Sequence, residues 1–303
     1  MSAEDLGWPR ASAWLATGGA ADGPTLAVVG IPLSRTSISP SQAHLTPAAV
    51  RAALRRFSTF HAGLDVDLET VRVVDHGDLD VADATTEDHL GRIDLSGPRA
   101  DLVVVLGGDN AVTRPAMRTL LDLPTSGLLT LDAHHDVREF HAGATNGTPV
   151  RGLLEDGLPG THVVQLGLGM LTNSRHYRTF CEGNGVTVRT VDEIRGRVRE
   201  VVRGYLEELG AQCPGGVYVD LDIDVVDSAF VPGCPGARPG GLLPHELLAA
   251  AEEAGRHPAV RAVDLTEVDA GDDPDGRTVD LMAQCLLSVA AGFAARTAGS
   301  AAT

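Results

Sequence analysis

Residues 127–136 read Gly-Leu-Leu-Thr-Leu-Asp-Ala-His-His-Asp, an apolar run that leads directly into a polar one. The apolar half predicts a buried strand, and the polar half places Asp132, His134 and Asp136 two residues apart. Because side chains two apart in an extended chain point to the same side, these groups converge on one spot. Such oxygen and nitrogen donors suit Mn, Zn or Fe, whereas calcium prefers oxygen alone. The stretch predicts a metal site, with a solvated polar loop as the alternative.

Apolar strand candidates alternate with helix candidates on both sides of this stretch. Strands are predicted at residues 25–31, 71–74, 101–106, 127–131, 162–166, 185–188, 216–221 and 261–265, and helices at 48–57, 148–155, 174–182, 192–209, 244–254 and 279–295, with one more ending near 121. Thr46 is expected to cap the first of these helices. The alternation predicts a mostly parallel sheet of about eight strands between two helical layers, a three-layer α/β/α sandwich. We expect residues 1–24 to form a loose N-terminal arm and residues 25–303 a single catalytic domain.

Polar sequences follow four of the predicted strands. They lie at residues 107–110, 132–136, 222–227 and 266–269. In parallel α/β sheets, ligands bind outside the carboxyl ends of the strands. These four segments can therefore contribute to one site, however far apart they lie in the sequence.

A second carboxylate cluster lies in the segment Val-Asp-Leu-Asp-Ile-Asp at residues 219–224. Asp220, Asp222 and Asp224 alternate onto one side of an extended segment. Three like charges this close repel one another unless a cation neutralises them or some are protonated. A solvated edge strand is the alternative, but the apolar opposite face indicates burial, where uncompensated aspartates are costly. Two such strand ends suit a two-metal site, whose ions sit roughly 3.5–4 Å apart and activate a water.

The composition excludes several classes of function. The formal net charge is −17, and the 24 residues counted as Lys or Arg are all arginines. The acidic charge argues against nucleic acid or an anionic membrane as a partner, and the lack of lysine excludes Schiff-base and P-loop chemistry. Scattered cysteines, no secretory signal and no apolar run of roughly 18 residues indicate a soluble, cytoplasmic protein that acts on a small molecule.

Taken in order, the motifs resemble the signatures of the ureohydrolase family, which contains arginases, agmatinases and formimidoylglutamases. They are Gly-Gly-Asp-Asn at 107–110, Asp-Ala-His-His-Asp at 132–136, Asp-Ile-Asp-Val-Val-Asp at 222–227 and Asp-Leu-Thr-Glu-Val-Asp at 264–269. The segment 232–242 also resembles the Pro-Gly loop of the family. The resemblance extends from about residue 25 to residue 295, nearly the whole chain, and four ordered motifs are far more specific than one.

The resemblance implies two Mn²⁺ ions that activate water for attack on a guanidino or formimino carbon, and a homo-oligomer. By motif, the metal ligands would be Asn110, Asp132, His134, Asp136, Asp222 and Asp224. Asp136 would also carry a proton to the leaving amine, and Glu267 would hydrogen-bond the cationic nitrogens of the substrate. His141, in the entrance loop, is a candidate acid/base, with a solvated surface histidine as the alternative.

Two asparagines depart from the pattern of the arginases. Asn110 stands where arginases and agmatinases carry a histidine ligand; an amide oxygen is a weaker ligand, so one metal could be loosely held or absent. Asn146, in Asn-Gly-Thr-Pro, stands where arginases carry a histidine near the site entrance. It is a candidate substrate-binding residue, with a plain helix-start residue as the alternative.

Arg138 indicates which branch of the family the chain resembles. A guanidinium near the site suits an anionic substrate, because it grips a carboxylate with two parallel hydrogen bonds. With the Asn-Gly-Thr-Pro run, it resembles the formimidoylglutamase branch, which converts N-formimidoyl-L-glutamate to L-glutamate and formamide in histidine degradation. The alternative for Arg138 is an exposed loop cation. The alternatives for the function are a ureohydrolase that releases urea from arginine, agmatine, hydroxyarginine or a guanidino acid, a metal-depleted homologue without catalysis, and a metal-dependent deacetylase on a related sheet.

Overall fold

The computed structural model describes residues 7–81, 95, 100–141 and 143–300. Its central feature is an eight-stranded sheet in which every pair of neighbours is parallel. The strands are β1 Thr25–Ile31, β4 Arg72–Asp78, β5 Leu102–Gly107, β6 Ser126–Leu131, β7 Val163–Leu168, β8 Thr187–Thr190, β9 Gly216–Asp222 and β10 Val260–Thr266. A separate antiparallel pair, β2 Phe60–His61 and β3 Val66–Asp67, was not predicted. The predicted sheet is confirmed.

Helices cover both faces of this sheet. They are α1 Ala11–Thr17, α2 Thr46–Ala53, α3 Thr113–Leu120, α4 Pro149–Glu155, α5 Arg175–Gly183, α6 Val191–Ile194, α7 Val198–Gln212, α8 Pro244–Arg256 and α9 Arg277–Ser300. Because successive strand residues point to opposite faces, β1 supplies Leu26 and Val28 to one hydrophobic core and Ala27 and Val29 to another. Two cores with the sheet between them form the predicted three-layer sandwich.

The last helix, α9, is a core element. The stretch Arg277–Ala298 is long and apolar enough to cross a membrane, with a mean hydropathy of 1.5, but 78% of its 18-residue apolar window is buried. Leu286 and Phe293 are fully buried in the core. The apolar composition of α9 is therefore explained by packing.

Three local predictions are wrong. In the expected N-terminal arm, residues 11–17 form α1, whose Trp14 is buried and donates to Val71 O (3.2 Å); residues 1–6 lie outside the described part. The predicted helix at 192–209 is two helices, because Gly196 adopts a φ of 79° between α6 and α7. Thr46 lies inside α2 and is not its cap, since its hydroxyl donates to Val268 O.

The order of the strands brings the four motifs together. It runs β4-β1-β5-β10-β9-β6-β7-β8, so β5, β10, β9 and β6 are four adjacent central strands. The motifs follow or end these four strands at their carboxyl ends, and parallel strands present these ends at one edge. Segments more than 150 residues apart in the chain therefore border one site. The backbone N–H of Asn110, for example, donates a hydrogen bond to Glu267 Oε1.

Candidate metal centre

Carboxylate side chains shape the loops at these strand ends. Asp132 Oδ1 accepts a hydrogen bond from His134 N (2.6 Å), and Asp222 Oδ1 accepts one from Asp224 N (2.7 Å). Aspartates commonly stabilise turns by accepting from the N–H two residues later. Because the chain turns at both of these segments, the extended geometry assumed from the sequence is wrong, although the side chains converge as expected.

Asp132, His134 and Asp224 form a group that could bind a metal ion. Their ligand atoms lie within 4.8 Å of one another. His134 Nδ1 is 2.6 Å from Asp224 Oδ2 and 3.6 Å from Asp132 Oδ1, and Ala133 N donates to Asp224 Oδ1 (3.0 Å). Two carboxylates and one imidazole form a donor set that suits Mn²⁺ or Zn²⁺.

The electrostatics of this cluster favour a cation. Burial, with the charges of Asp136 and Asp224, raises the pKa of Asp132 well above its usual range. Burial and the neighbouring carboxylates raise the pKa of Asp222 as well, and burial raises that of Asp136 to about 7. Burial alone would lower the pKa of His134, but Asp224 and Asp132 raise it to about 12. Negative charge is thus concentrated where water cannot screen it, and a divalent cation would stabilise it.

Asn110 lies beside this cluster in a buried set of hydrogen bonds. Its Nδ2 donates to Asp136 Oδ2 (2.7 Å), and its Oδ1 accepts from Thr113 Oγ1 (2.8 Å) and Thr266 Oγ1 (3.1 Å). The amide nitrogen, not the oxygen, therefore faces the acidic cluster in this structure. The structure brings Asn110 to the predicted place, with its potential ligand atom turned away.

Glu267 and Asp136 are held in strained backbone conformations. Their φ angles are 66° and 51°, in the left-handed region that residues with a Cβ rarely adopt. Glu267 Oε1 accepts from Asn110 N (2.7 Å) and Asn146 Nδ2 (3.0 Å), and burial and Asp109 raise the pKa of Glu267 to about 8. Strain of this kind persists where surrounding contacts fix the residue, and it is frequent at functional sites.

A cavity of about 300 Å³ opens above the cluster. The predicted residues His134, Asp136, Arg138, Asn146, Asp222, Asp224 and Glu267 all line it. Both ends of the Asn146 amide are hydrogen-bonded. Ile38 N donates to its Oδ1 (3.0 Å), and its Nδ2 donates to Glu267 Oε1 (3.0 Å). Arg138 is exposed at the mouth of the cavity, and its backbone N–H donates to Gly147 O (2.8 Å). The cavity combines an acidic floor with a cationic rim.

The structure does not bring His141 to this site. Its side chain is 85% exposed, its Nε2 lies 2.5 Å from Glu139 Oε2, and it is not among the described residues that line the cavity. Tyr177 and Arg238 line the cavity but were not predicted. Arg238 lies in the Pro-Gly loop, which was identified as a motif; nothing in the sequence near Tyr177 indicated a site.

Comparisons with known proteins find similar sequences and similar folds. The family model "Arginase family" matches residues 24–292. The formimidoylglutamase of Halalkalibacterium halodurans is 35% identical over 80% of this chain and 79% of its own length. The crystal structure of formimidoylglutamase from Bacillus subtilis superposes with a TM-score of 0.84 at 30% identity, covering 97% of this chain and 94% of that one.

A third comparison bears on the fold alone. The structure of Trypanosoma cruzi formiminoglutamase with Mn²⁺ has a TM-score of 0.81 at 22% identity, covering 95% of this chain and 99% of that one. The match to the family model spans all four strand-end motifs, and the Halalkalibacterium relative is similar along most of its length. The family predicted from the motifs is confirmed, and the chain belongs to the arginase family.

Proposed function

We propose that this protein is a Mn²⁺-dependent hydrolase that converts N-formimidoyl-L-glutamate and water to L-glutamate and formamide. The C–N bond between the formimidoyl carbon and the glutamate nitrogen breaks, and the water oxygen ends in formamide. The observation that carries the proposal is a buried acid–imidazole cluster beneath an arginine-lined mouth in one cavity. The similarity to the two bacterial formimidoylglutamases supports this substrate.

Six residues would hold the metal. They are Asn110, Asp132, His134, Asp136, Asp222 and Asp224. Two Mn²⁺ ions bound there would supply a Lewis acid that activates water at neutral pH. The protein contributes a rigid frame of four strand ends, which fixes the donors before the substrate arrives.

Glu267 would bind the amidinium end of the substrate. Both hydrogen bonds that its side chain makes within the described residues run to Oε1, from Asn110 N and Asn146 Nδ2. Oε2 then accepts from a formimidoyl N–H and orients the reacting carbon over the floor of the cavity. Asn146 therefore acts on the substrate through Glu267.

Asp136 would deliver the proton to the leaving nitrogen. It lines the same cavity as Glu267, within reach of the bound substrate, and a positioned carboxylate can take and return a proton. Asn110 Nδ2 donates to Asp136 Oδ2 (2.7 Å) and orients this carboxyl group. We assign no role in the reaction to His141, because its ring is at the surface beside Glu139.

The decisive experiment is product analysis with the Mn²⁺-loaded protein. We expect L-glutamate and formamide from N-formimidoyl-L-glutamate and no urea from arginine, agmatine or a guanidino acid. Urea from a guanidino compound with no reaction on the formimidoyl substrate would contradict the substrate and retain the metal chemistry. No reaction with any substrate, together with no bound metal, would contradict the function altogether.

Arg138 would set the preference for an anionic substrate. The Arg138→Gln variant should raise KM about 10- to 100-fold, the value of one lost hydrogen bond between charged groups, while kcat changes little. Arg138→Lys should restore only part of the affinity, because lysine cannot form the two-pronged contact. Arg261→Gln, exposed at the amino end of β10, is the matched control. An unchanged KM in Arg138→Gln would remove Arg138 from the substrate site.

We further propose a single catalytic domain over residues 25–303, a cytoplasmic location and a homo-oligomeric assembly. One continuous eight-stranded sheet supports the first, and four free, buried cysteines support a reducing compartment. The oligomer follows from the resemblance to the family. Light scattering coupled to size-exclusion chromatography tests it, and a monomeric mass would contradict it.

A further inference from the structure

The hydroxyl of Thr113 faces two acceptors with only one proton to give. Its Oγ1 lies 2.8 Å from Asn110 Oδ1 and 2.8 Å from Asp264 Oδ2. Thr113 and Asp264 are fully buried and Asn110 nearly so, so no solvent competes for these bonds. A hydroxyl donates one hydrogen bond and accepts others. One of the two close contacts therefore needs a different donor.

The Asp264 carboxylate is a stronger acceptor for the hydroxyl proton of Thr113 than the Asn110 amide oxygen is. A hydrogen bond to a charged acceptor is about twice as strong as one between neutral groups. With its proton directed to Asp264, Thr113 Oγ1 presents only lone pairs to the amide of Asn110. The amide oxygen opposite it then has one donor left, Thr266 Oγ1 at 3.1 Å. This contact favours the amide nitrogen, not the oxygen, on the side of Thr113.

Rotation of the amide by half a turn would exchange its two ends. Nδ2 would then donate to Thr113 Oγ1, Thr113 would donate to Asp264, and Oδ1 would face Asp136. In the orientation that the structure shows, Nδ2 lies on this side and donates to Asp136 Oδ2 (2.7 Å). A metal ion held by Asp136 and its neighbours would favour the rotated orientation, because cations bind amide oxygens and not amide nitrogens.

We propose that Thr113 and Asp264 are positioning residues that turn the amide oxygen of Asn110 toward the metal. Asp264 orients the hydroxyl of Thr113, and Thr113 accepts from Asn110 Nδ2. Tyr218 completes this series of hydrogen bonds, since its hydroxyl donates to Asp264 Oδ2 (3.0 Å). The inference rests on the proposed metal centre. It explains how a chain that carries asparagine in place of a histidine presents a ligand oxygen at this position.

Calorimetric titration of the metal-free protein with Mn²⁺ tests the proposal without any measurement of activity. Thr113→Val keeps the shape of the side chain and removes the hydroxyl. We expect it to weaken Mn²⁺ binding about 10- to 100-fold, the usual cost of a lost outer partner of a metal ligand. Thr113→Ser, which keeps the hydroxyl, should bind like the wild type. Thr130→Val is the matched control, because Thr130 is a buried threonine whose hydroxyl makes no hydrogen bond to a described residue.

A double-mutant cycle separates orientation from packing. In Asn110→Asp both ends of the side chain are oxygens, so its orientation no longer matters. Thr113→Val should then change Mn²⁺ affinity less than about threefold in the Asn110→Asp background, as expected for residues that act through one contact. Thr113→Ala replaces Thr113→Val in the same cycle if the valine variant does not fold.

Two results would overturn the proposal. One is a Thr113→Val variant that binds Mn²⁺ as the wild type does. The other is an equal loss of affinity in the wild-type and Asn110→Asp backgrounds, which would assign Thr113 a packing role only. A wild-type protein that binds no Mn²⁺ would instead overturn the metal centre itself, so the two failures are distinguishable.

Discussion

Burial and like charge strongly oppose the ionisation of Asp132. It is 1% exposed, and the carboxylates of Asp136 and Asp224 face it. Without a cation, its charge is a cost to the fold. With a cation, the same charge provides a ligand.

The Asp132→Asn variant should therefore have opposite effects on the metal-free and metal-loaded protein. Removing one buried like charge should leave the free energy of unfolding of the metal-free protein equal or higher. Loss of an ionic ligand should weaken Mn²⁺ binding more than about 100-fold, beyond the cost of a changed outer partner. Urea unfolding with and without Mn²⁺ measures both effects. A variant destabilised without metal and unchanged in Mn²⁺ affinity would contradict a ligand role.

Glu267 tests whether strain is stored at the site. Its φ of 66° costs a residue with a Cβ roughly 1–2 kcal/mol relative to glycine. Both Glu267→Ala and Glu267→Gly remove the buried carboxyl, so their difference reports the backbone alone. We expect Glu267→Gly to be the more stable by about 1 kcal/mol in thermal unfolding, with both variants inactive. A Glu267→Gly variant less stable than Glu267→Ala would show that no strain is stored there, because glycine also loses more conformational entropy on folding.

The sequence predicted which residues meet and not how they are oriented. The donor types and strand-end spacing of Asp132, His134 and Asp224 were sufficient to predict a common site. The direction of the Asn110 amide and the left-handed φ of Glu267 depend in part on hydrogen bonds across more than 100 residues of chain, from Thr266 to Asn110 and from Asn110 and Asn146 to Glu267. No local pattern encodes such contacts.

At the scale of the elements, helices α7 and α8 are joined by a charged network. Glu253 of α8 is 4% exposed, and its Oε1 lies 2.9 Å from Nη1 of Arg199 and 2.9 Å from Nη2 of Arg203, both on α7. Burial would raise the pKa of Glu253, but the hydrogen bonds from the two arginines lower it overall. The ionised form is therefore the one that stabilises the fold.

Glu253→Gln should destabilise the protein by about 1–2 kcal/mol, less than a fully buried ion pair, because both arginines are about half exposed. Since the folded pKa of Glu253 lies below the ordinary value, its stabilisation is complete above about pH 4.5 and is lost as the pH falls below it. Glu253→Gln should therefore lose less of its free energy of unfolding than the wild type does when the pH falls. Urea unfolding at pH 7 and pH 4 measures it, with Glu200→Gln, exposed on α7, as the control. Equal acid sensitivity in Glu253→Gln would contradict the assignment.

Element boundaries show where local signals were sufficient. Strand β1 was predicted with its observed bounds, because an all-apolar run between turn residues has few alternatives. The helix predicted at 192–209 was wrong because its apolar spacing continues through Gly196, and only the tertiary turn there separates α6 from α7. Trp14 was missed because a short helix packed on the core resembles a polar arm in composition.

At the scale of the whole molecule, the candidate metal centre lies across the middle of the sheet. Asn110, Asp132, Asp222 and Glu267 lie at the carboxyl ends of β5, β6, β9 and β10, four strands that lie side by side. These strands also carry the two cores, so unfolding any one of them destroys the site. A metal ion that binds only the folded protein must therefore stabilise the whole molecule.

Removal of the metal should accordingly lower the unfolding temperature of the entire protein. At a free Mn²⁺ concentration of 100 times Kd, the gain is about 2.7 kcal/mol, which corresponds to roughly 4 °C for a chain of this size. Calorimetry after EDTA treatment and after Mn²⁺ reloading measures this difference. Ca²⁺ should give a smaller gain, because the imidazole of His134 is a poor ligand for it. A gain that persists in Asp132→Asn would show that Mn²⁺ stabilises the protein elsewhere than at this centre.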